Sequence, residues 1–216
     1  MQKVFKVGLI GCGHIAETYF KGHKYFNNFR IIKCADIKHS AAKKCASLYK
    51  IKAVSVKDIL KDKEIEIILN LTIPKAHFEV SKKALLNNKH VYTEKPMAIN
   101  VKDGNEMIKI CKDSNVKLYV VKQNRLNPTL QILRKKVKEN KFGNIGIVDI
   151  NVFWQRPQSY YDQDKWRGTK EYDGGALLNQ ASHYVDLLEW IIGPLEGVYA
   201  NVSTISREIE VEDTTV

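Results

Sequence analysis

The chain has 216 residues, a formal net charge of +11, 44% hydrophobic and 27% charged residues. Those fractions are ordinary for a globular protein, and the length suits one large domain or one domain plus part of a second. The absence of any apolar run of about 18 residues argues against a membrane-spanning helix, and Met1 to Phe5 lacks the three parts of a signal peptide, so a cytoplasmic setting is expected. The positive charge does not point to nucleic acid. The lysines are scattered, no aromatic-plus-basic stacking motif accompanies them, and the densest group, Arg134, Lys135, Lys136 and Lys138, reads as the solvated face of a helix. A basic balance does suit a small anionic substrate such as a nucleotide sugar. Cys12, Cys34, Cys45 and Cys111 form no CxxC pair and have no zinc-ligand spacing. They are expected to be reduced and mostly buried, with no metal site.

Val4 to Ile10 is a nearly continuous apolar run ending in Gly-Cys-Gly, as expected of a strand buried on both faces of a parallel sheet. Helical spacing follows from Ile15 to about Phe26. A second apolar run, Ile31 to Ala35, ends at Asp36, and Ser40 is placed to cap a helix running to about Tyr49. Next come a strand, Ile65 to Asn70, a helix, Lys75 to about Leu86, a strand, His90 to Thr93, a helix, about Val101 to Ser114, and a strand, Lys117 to Val121. Alternating strands and helices predict an α/β fold with a doubly wound parallel sheet over residues 1–122, a Rossmann domain. Right-handed crossovers put all strand C-termini on one ligand-binding edge.

The pattern then changes. A helix from about Thr129 to Asn140 closes at Gly143. A long strand, Ile145 to Trp154, a polar-aromatic loop, Gln155 to Gly174, a helix, about Ala176 to Ile192, and a strand, about Gly197 to Ser206, follow. Val211 to Val216 reads as another strand beginning. Residues 123–216 therefore predict the start of an α+β domain with a mostly antiparallel sheet. Its few strands would leave open sheet edges, so a fragment of a longer protein, or cover supplied by a partner, is expected.

The chemistry starts at Gly11-Cys12-Gly13-His14-Ile15-Ala16, a GxGxxA pattern that follows the first strand and opens a helix. Gly11 permits the tight turn, Gly13 the approach of a pyrophosphate to the helix N-terminus, and Ala16 close packing of helix on strand. Asp36, at the end of the second strand, stands where an adenosine ribose is bound. Its carboxylate accepts from both ribose hydroxyls and repels a 2′-phosphate, favouring NAD over NADP. Thr72-Ile73-Pro74 lies on the same edge, with Pro74 suited to the first turn of a helix and His77 one turn in, in reach of cofactor or substrate or else structural. Glu94-Lys95-Pro96 follows the next strand. Lys95 would face a cationic nicotinamide ring, and that like charge favours its neutral form, fit for a general base or a donor to the reacting oxygen. Beyond Gly174-Gly175, Asn179, His183 and Asp186 share one helix face at i, i+4 and i+7, which implies a wet pocket. An imidazole at His183 suits proton transfer from an alcohol. Arg125, Arg156 and Arg167 are candidates for a diphosphate or carboxylate.

Taken together, Gly11 to Ala16, Asp36, Thr72 to His77, Glu94-Lys95-Pro96 and Gly174-Gly175 through His183 and Asp186 resemble the Gfo/Idh/MocA oxidoreductase family over essentially the whole chain. The resemblance implies an NAD-dependent enzyme with Lys95 and His183 catalytic and Asn179 beside them. Many members carry Asp where this chain has Asn179. An amide is no general base, so proton abstraction falls to Lys95 or His183 and Asn179 orients the substrate. Gln123 to Pro128, Trp166-Arg167-Gly168-Thr169 and Leu178-Asn179-Gln180 look like the family's branch that oxidises C3 of UDP-N-acetylglucosamine-type sugars for bacterial surface polysaccharides. That likeness implies cofactor contacts from Gly11, Gly13, His14, Ile15, Asp36, Thr72, Pro74, His77, Glu94, Lys95, Gln123, Trp166 and Arg167. It implies substrate contacts from Lys95, Arg125, Arg156, Arg167, Thr169, Asn179 and His183. A homo-oligomer, dimer or tetramer, is implied as well. Inositol or free-sugar oxidation, and a non-catalytic NAD-binding relative, are the alternatives.

Overall fold

A computed structural model of the protein describes residues 3–216. They form two compact units, the first ending at Val121 and the second beginning at Lys122.

In the first unit the order is β1 (Phe5–Ile10), α1 (His14–Gly22), β2 (Phe29–Ala35), α2 (His39–Tyr49), β3 (Lys52–Ala53), α3 (Val56–Lys61), β4 (Ile67–Asn70), α4 (Pro74–Leu86), β5 (His90–Thr93), α5 (Val101–Ser114) and β6 (Leu118–Val120). Spatially the sheet runs β3-β2-β1-β4-β5-β6, with all neighbours parallel. The direction of winding reverses between β1 and β4, the position at which such sheets open a crevice for ligands. Alternate residues of each strand feed the two faces. Val7, Leu9, Ile31 and Leu69 pack with α1 and α2 on one face. Ile10, Ile68 and Val91 pack with α3, α4 and α5 on the other. Both faces being covered explains the near-continuous apolar runs of these strands.

Sequence patterning missed β3 and α3. Two and six residues are too short to display a period, although Ser55 caps α3 by accepting from the Asp58 N–H at 3.0 Å. Ser40 is not a cap. Helix α2 begins at His39 after Lys38, with no side-chain cap, and Ser40 lies inside the first turn.

The second unit holds α6 (Pro128–Lys138), α7 (Gln158–Asp162), a π turn (Ala176–Gln180), α8 (Ser182–Ile191), and the antiparallel strands β7 (Val202–Ser203) and β8 (Thr214–Thr215). Three expectations change here. The long strand Ile145 to Trp154 does not form, and of Gly197 to Ser206 only Val202–Ser203 is strand. Alternating side chains fit a segment for a sheet face, but a ladder needs a second backbone to exchange hydrogen bonds with. Among the described residues none pairs with 145–154, and residues 141–151 are all exposed. The single helix from Ala176 to Ile192 is broken instead. Gly174 and Gly175 have φ of 81° and 90°, and the Ala181 N–H reaches back five residues to the Ala176 carbonyl at 2.8 Å, the mark of a π turn.

Ile68 is fully buried in the central strand β4. Ile68→Ala is expected to cost about 2–5 kcal/mol, read as a lowered urea midpoint, whereas Val198→Ala, at a position 80% exposed, should stay within about 0.5 kcal/mol of the parent.

Candidate cofactor and active site

Strand register builds the rim of the sheet. Ile10 lies opposite Ala35 and Asn70, Asn70 opposite Thr93, and Thr93 opposite Val120. Five strands thus end in one row, and the residues that follow them share one edge: Gly11 to Ile15, Asp36, Leu71-Thr72 and Glu94-Lys95.

Gly11 is required twice over. Its φ is 101°, and a Cβ there would stand 2.5 Å from the Leu71 carbonyl group. At Gly13 a Cβ would meet nothing within 4 Å, leaving open space above the start of α1. No side chain caps that helix, and His14 and Ile15 are exposed. A positive helix terminus with main-chain N–H groups facing open space fits a pyrophosphate. Asp36 is oriented by two main-chain donors, Cys12 N–H to Oδ2 and Lys38 N–H to Oδ1, each at 2.8 Å. Each carboxylate oxygen has a second lone pair for a ribose hydroxyl. The residues present therefore fit NAD.

A buried network fixes the loops beyond β4 and β5. Asn70, fully buried, donates to the His77 carbonyl at 3.0 Å and to Ser81 Oγ at 2.9 Å, and accepts from the Thr72 hydroxyl at 2.7 Å. His77 is 1% exposed. Its Nε2 lies 2.9 Å from the Thr72 carbonyl and its Nδ1 2.6 Å from the Pro96 carbonyl. The ring lies between the Thr72 loop and the Lys95-Pro96 loop, which contains a cis peptide, and both of its nitrogens face main-chain carbonyls. Pro74, also buried, starts α4 as expected. Glu94 accepts from the Tyr19 hydroxyl at 2.7 Å and from the Lys95 N–H at 3.2 Å. Burial first, then the Glu94 charge, pushes the Tyr19 phenol up, so Tyr19 remains a donor. Tyr19 escaped the sequence reading because its partner Glu94 lies 75 positions on; Asn70 and Ser81, 11 positions apart, meet only once the strand and the helix after it fold against each other.

In the second unit the polar residues of the π turn and α8 have separate partners. Asn179, 8% exposed, donates to Asp173 Oδ1, and Asp173 Oδ2 accepts from the Gly168 N–H at 2.5 Å. Asp173, 4% exposed, is the carboxylate beside Asn179 that sequence spacing did not single out. His183 is buried with its Nε2 3.4 Å from the Gln123 amide nitrogen. Glu212 receives the Ala176 N–H on its carbonyl at 3.1 Å and the Leu177 N–H on its carboxylate at 3.0 Å. It therefore satisfies the start of the π turn that carries Asn179.

The structure gives each of the remaining residues expected at the substrate partners of its own. Arg125 is a fork on Asp186, at 2.8 and 2.7 Å, with Lys122 Nζ 3.4 Å from the same carboxylate. Despite burial, these cations hold the Asp186 pKa down. Two of the guanidinium donors proposed for a diphosphate are thus already committed. Thr169 closes a local turn, its hydroxyl donating to the Trp166 carbonyl at 2.8 Å and accepting from the Tyr172 N–H at 3.3 Å. Arg156 bonds Gln180 through two N–H groups at 3.2 Å. Its guanidinium lies over Trp154 and Tyr160, each at 5.1 Å. Arg167 lies over Tyr160 at 4.2 Å and Trp166 at 5.0 Å and bonds Asp164 at 3.1 Å. Tyr160 is thereby flanked by two arginines, a cationic aromatic cluster that sequence spacing could not assemble.

Burial holds the His77 pKa below the usual imidazole value, against the pull of the two carbonyls. The unfolded chain takes up that proton near pH 6.5 and the folded chain resists it. This contribution to stability is full above about pH 6.5 and is lost as pH falls toward the lower folded value. His77→Gln is expected to shrink the drop in urea midpoint between about pH 7.5 and pH 5.5. An unchanged drop would remove His77 as its source.

Residues 5–122 match the profile described as the oxidoreductase family, NAD-binding Rossmann fold, GFO/IDH/MocA. Residues 130–216 match the GFO/IDH/MocA C-terminal domain. The fold is similar to the WlbA dehydrogenase of Chromobacterium violaceum in complex with NADH and UDP-GlcNAcA, with a TM-score of 0.94 and 43% identity. Against WlbA dehydrogenase of Bordetella pertussis, in complex with the same two molecules, the TM-score is 0.95 with 38% identity. Both likenesses cover 100% of this chain and 63% of the other. D-xylose dehydrogenase of Paenarthrobacter nicotinovorans is 31% identical over 150 residues, 68% of this chain and 38% of that protein. The chain thus spans less than two thirds of each of these relatives. No helix among the described residues is long and apolar enough to cross a membrane. The chain belongs to the GFO/IDH/MocA oxidoreductase family, and its first unit is an NAD-binding Rossmann domain.

Proposed function

We propose that the chain serves NAD-dependent oxidation of the C3 hydroxyl of a UDP-N-acetylhexosaminuronate. The observation that carries this reading is the likeness, over the full chain and at 43% and 38% identity, to two dehydrogenases in complex with NADH and UDP-GlcNAcA. More distant relatives act on other sugars, D-xylose among them, so the nucleotide part of the substrate is the discriminating feature.

Gly11, Gly13 and the first turn of α1 hold the pyrophosphate, and Asp36 holds the adenosine ribose. Ile37, next in sequence and 95% exposed, offers apolar area to the adenine. When bound, NAD supplies the hydride-accepting ring and its positive charge. Lys95 then sits on the rim loop that His77 and Glu94 fix, and it hydrogen-bonds the reacting oxygen. Proton removal from the hydroxyl belongs to Lys95 or His183. Asn179, aimed by Asp173, positions the sugar. Arg156 and Arg167, each stacked on aromatic rings, meet the anionic groups of the substrate, a role Arg125 cannot share while Asp186 takes its fork.

Incubation with NAD and UDP-GlcNAcA, followed at the near-ultraviolet absorbance of NADH, tests this reading. NADH formation that free N-acetylglucosamine, glucuronate, xylose and inositol do not support is the expected result. Equal rates with a free sugar or inositol would replace the nucleotide-sugar assignment. In the active preparation Lys95→Ala is expected to lower kcat by about a hundred- to ten-thousandfold while NAD affinity stays within about twofold. Near-normal turnover would remove Lys95 from the chemistry.

A further inference from the structure

The sulfurs of Cys12, Cys34 and Cys45 all lie within 4.8 Å of one another. Cys12 is in the glycine loop, Cys34 on β2 and Cys45 on α2, and all three belong to the apolar cluster on one face of the sheet. Cys34 is fully buried and Cys45 is 8% exposed. Cys12 is half-buried. No disulfide joins them, and Cys111 packs on the opposite face.

We propose that these three thiols form a binding site for trivalent arsenic, taken up as neutral arsenous acid, and that filling it opposes NAD binding. The reaction is a condensation, As(OH)3 + 3 RSH → As(SR)3 + 3 H2O. Three As–O and three S–H bonds break, three As–S and three O–H bonds form, and no electron changes hands. The product is neutral, which suits an apolar cluster where a bound anionic complex would be costly. Zinc calls for a fourth ligand, whereas a pyramidal arsenic centre is complete with three sulfurs. Hydrogen bonding with Cys34 and then burial push Cys12 up, burial pushes Cys45 up to about 11, and hydrogen bonding with Cys12 holds Cys34 down. The condensation with arsenous acid consumes thiol protons and does not call for three thiolates at once, as a cation would.

Coupling to NAD follows from Cys12. It lies between Gly11 and Gly13, and its N–H holds Asp36 at 2.8 Å. Bonds to sulfur of about 2.3 Å, typical of a bound soft centre, draw the sulfurs to roughly 3.5–4 Å from one another. The contraction is delivered to the loop that receives the pyrophosphate and to the carboxylate that receives the ribose. Because the coupling is a free energy, NAD must weaken arsenite binding by the factor by which arsenite weakens NAD binding.

The test is titration of the reduced 216-residue chain with sodium arsenite, followed by native mass spectrometry and by the thiols left open to a disulfide reagent in denaturant. One arsenic per chain with loss of three hydrogens, three of the four thiols protected, and a fall in NAD affinity of about tenfold or more are expected. Cys111→Ala should behave as the parent. Cys45→Ala should keep its NAD affinity and lose most of its arsenite affinity and all of the NAD effect. Equal arsenite binding by Cys45→Ala, loss of binding in Cys111→Ala, or stoichiometric uptake with NAD affinity unmoved would each overturn the proposal. Should Cys45→Ala not fold, thiol protection in the parent decides: protection of fewer than three thiols overturns it.

Discussion

The alignment of strand ends at the reversal between β1 and β4 is the constraint on which the site depends. Parallel pairing puts Ala35, Ile10, Asn70 and Thr93 in one transverse row. At about 4.8 Å per strand, the row spans roughly 14 Å from β2 to β5. Along it stand Asp36 at one end, the glycine loop in the middle and Lys95 at the other. A one-residue slip of any of these strands would send its side chains into the cluster on the opposite face, where they no longer match their neighbours in size, so the two buried clusters that stabilise the sheet also set the spacing of the rim.

Rim loops would be mobile if register were all that held them. Here they are bound to the interior by polar groups that have no water to turn to. Asn70 and His77 are buried to 1% exposure or less; Asn70 bonds the Thr72 hydroxyl and Ser81, and the single N–H of a neutral His77 is donated to one of the Thr72 and Pro96 carbonyls that flank its ring. Leaving such groups unpaired in a dry interior is costly, so the loops have few alternative arrangements. The rigidity of the Lys95 loop thus comes from residues that need not touch a ligand.

How far the sequence was legible follows from the range of the interactions. In the first unit each strand is covered on both faces and each motif is local. The runs Val4 to Ile10 and His90 to Thr93, the glycine loop and Asp36 could therefore be read directly. What escaped there was either too short to show a period, as with β3 and α3, or turned on a partner in another loop, as with Tyr19 and Glu94, 75 positions apart. In the second unit the decisive contacts are long-range. Arg125 and Asp186 are 61 positions apart, and Glu212 meets a π turn 35 positions upstream. Alternation over Ile145 to Trp154 described a sheet-forming side-chain pattern but held no information about a partner strand. Helical spacing over Asn179, His183 and Asp186 assumed one uninterrupted α-helix, and the π turn at Ala176–Gln180 breaks that assumption.

The central claim, a dinucleotide held on the rim with its adenosine ribose on Asp36, is tested most directly by calorimetric titration of the folded chain with NAD and with NADP. The account predicts one NAD per chain and at least about tenfold weaker binding of NADP, because the Asp36 carboxylate repels a 2′-phosphate. Equal affinity for the two, or no uptake of NAD by a chain whose circular dichroism reports the native fold, would contradict it.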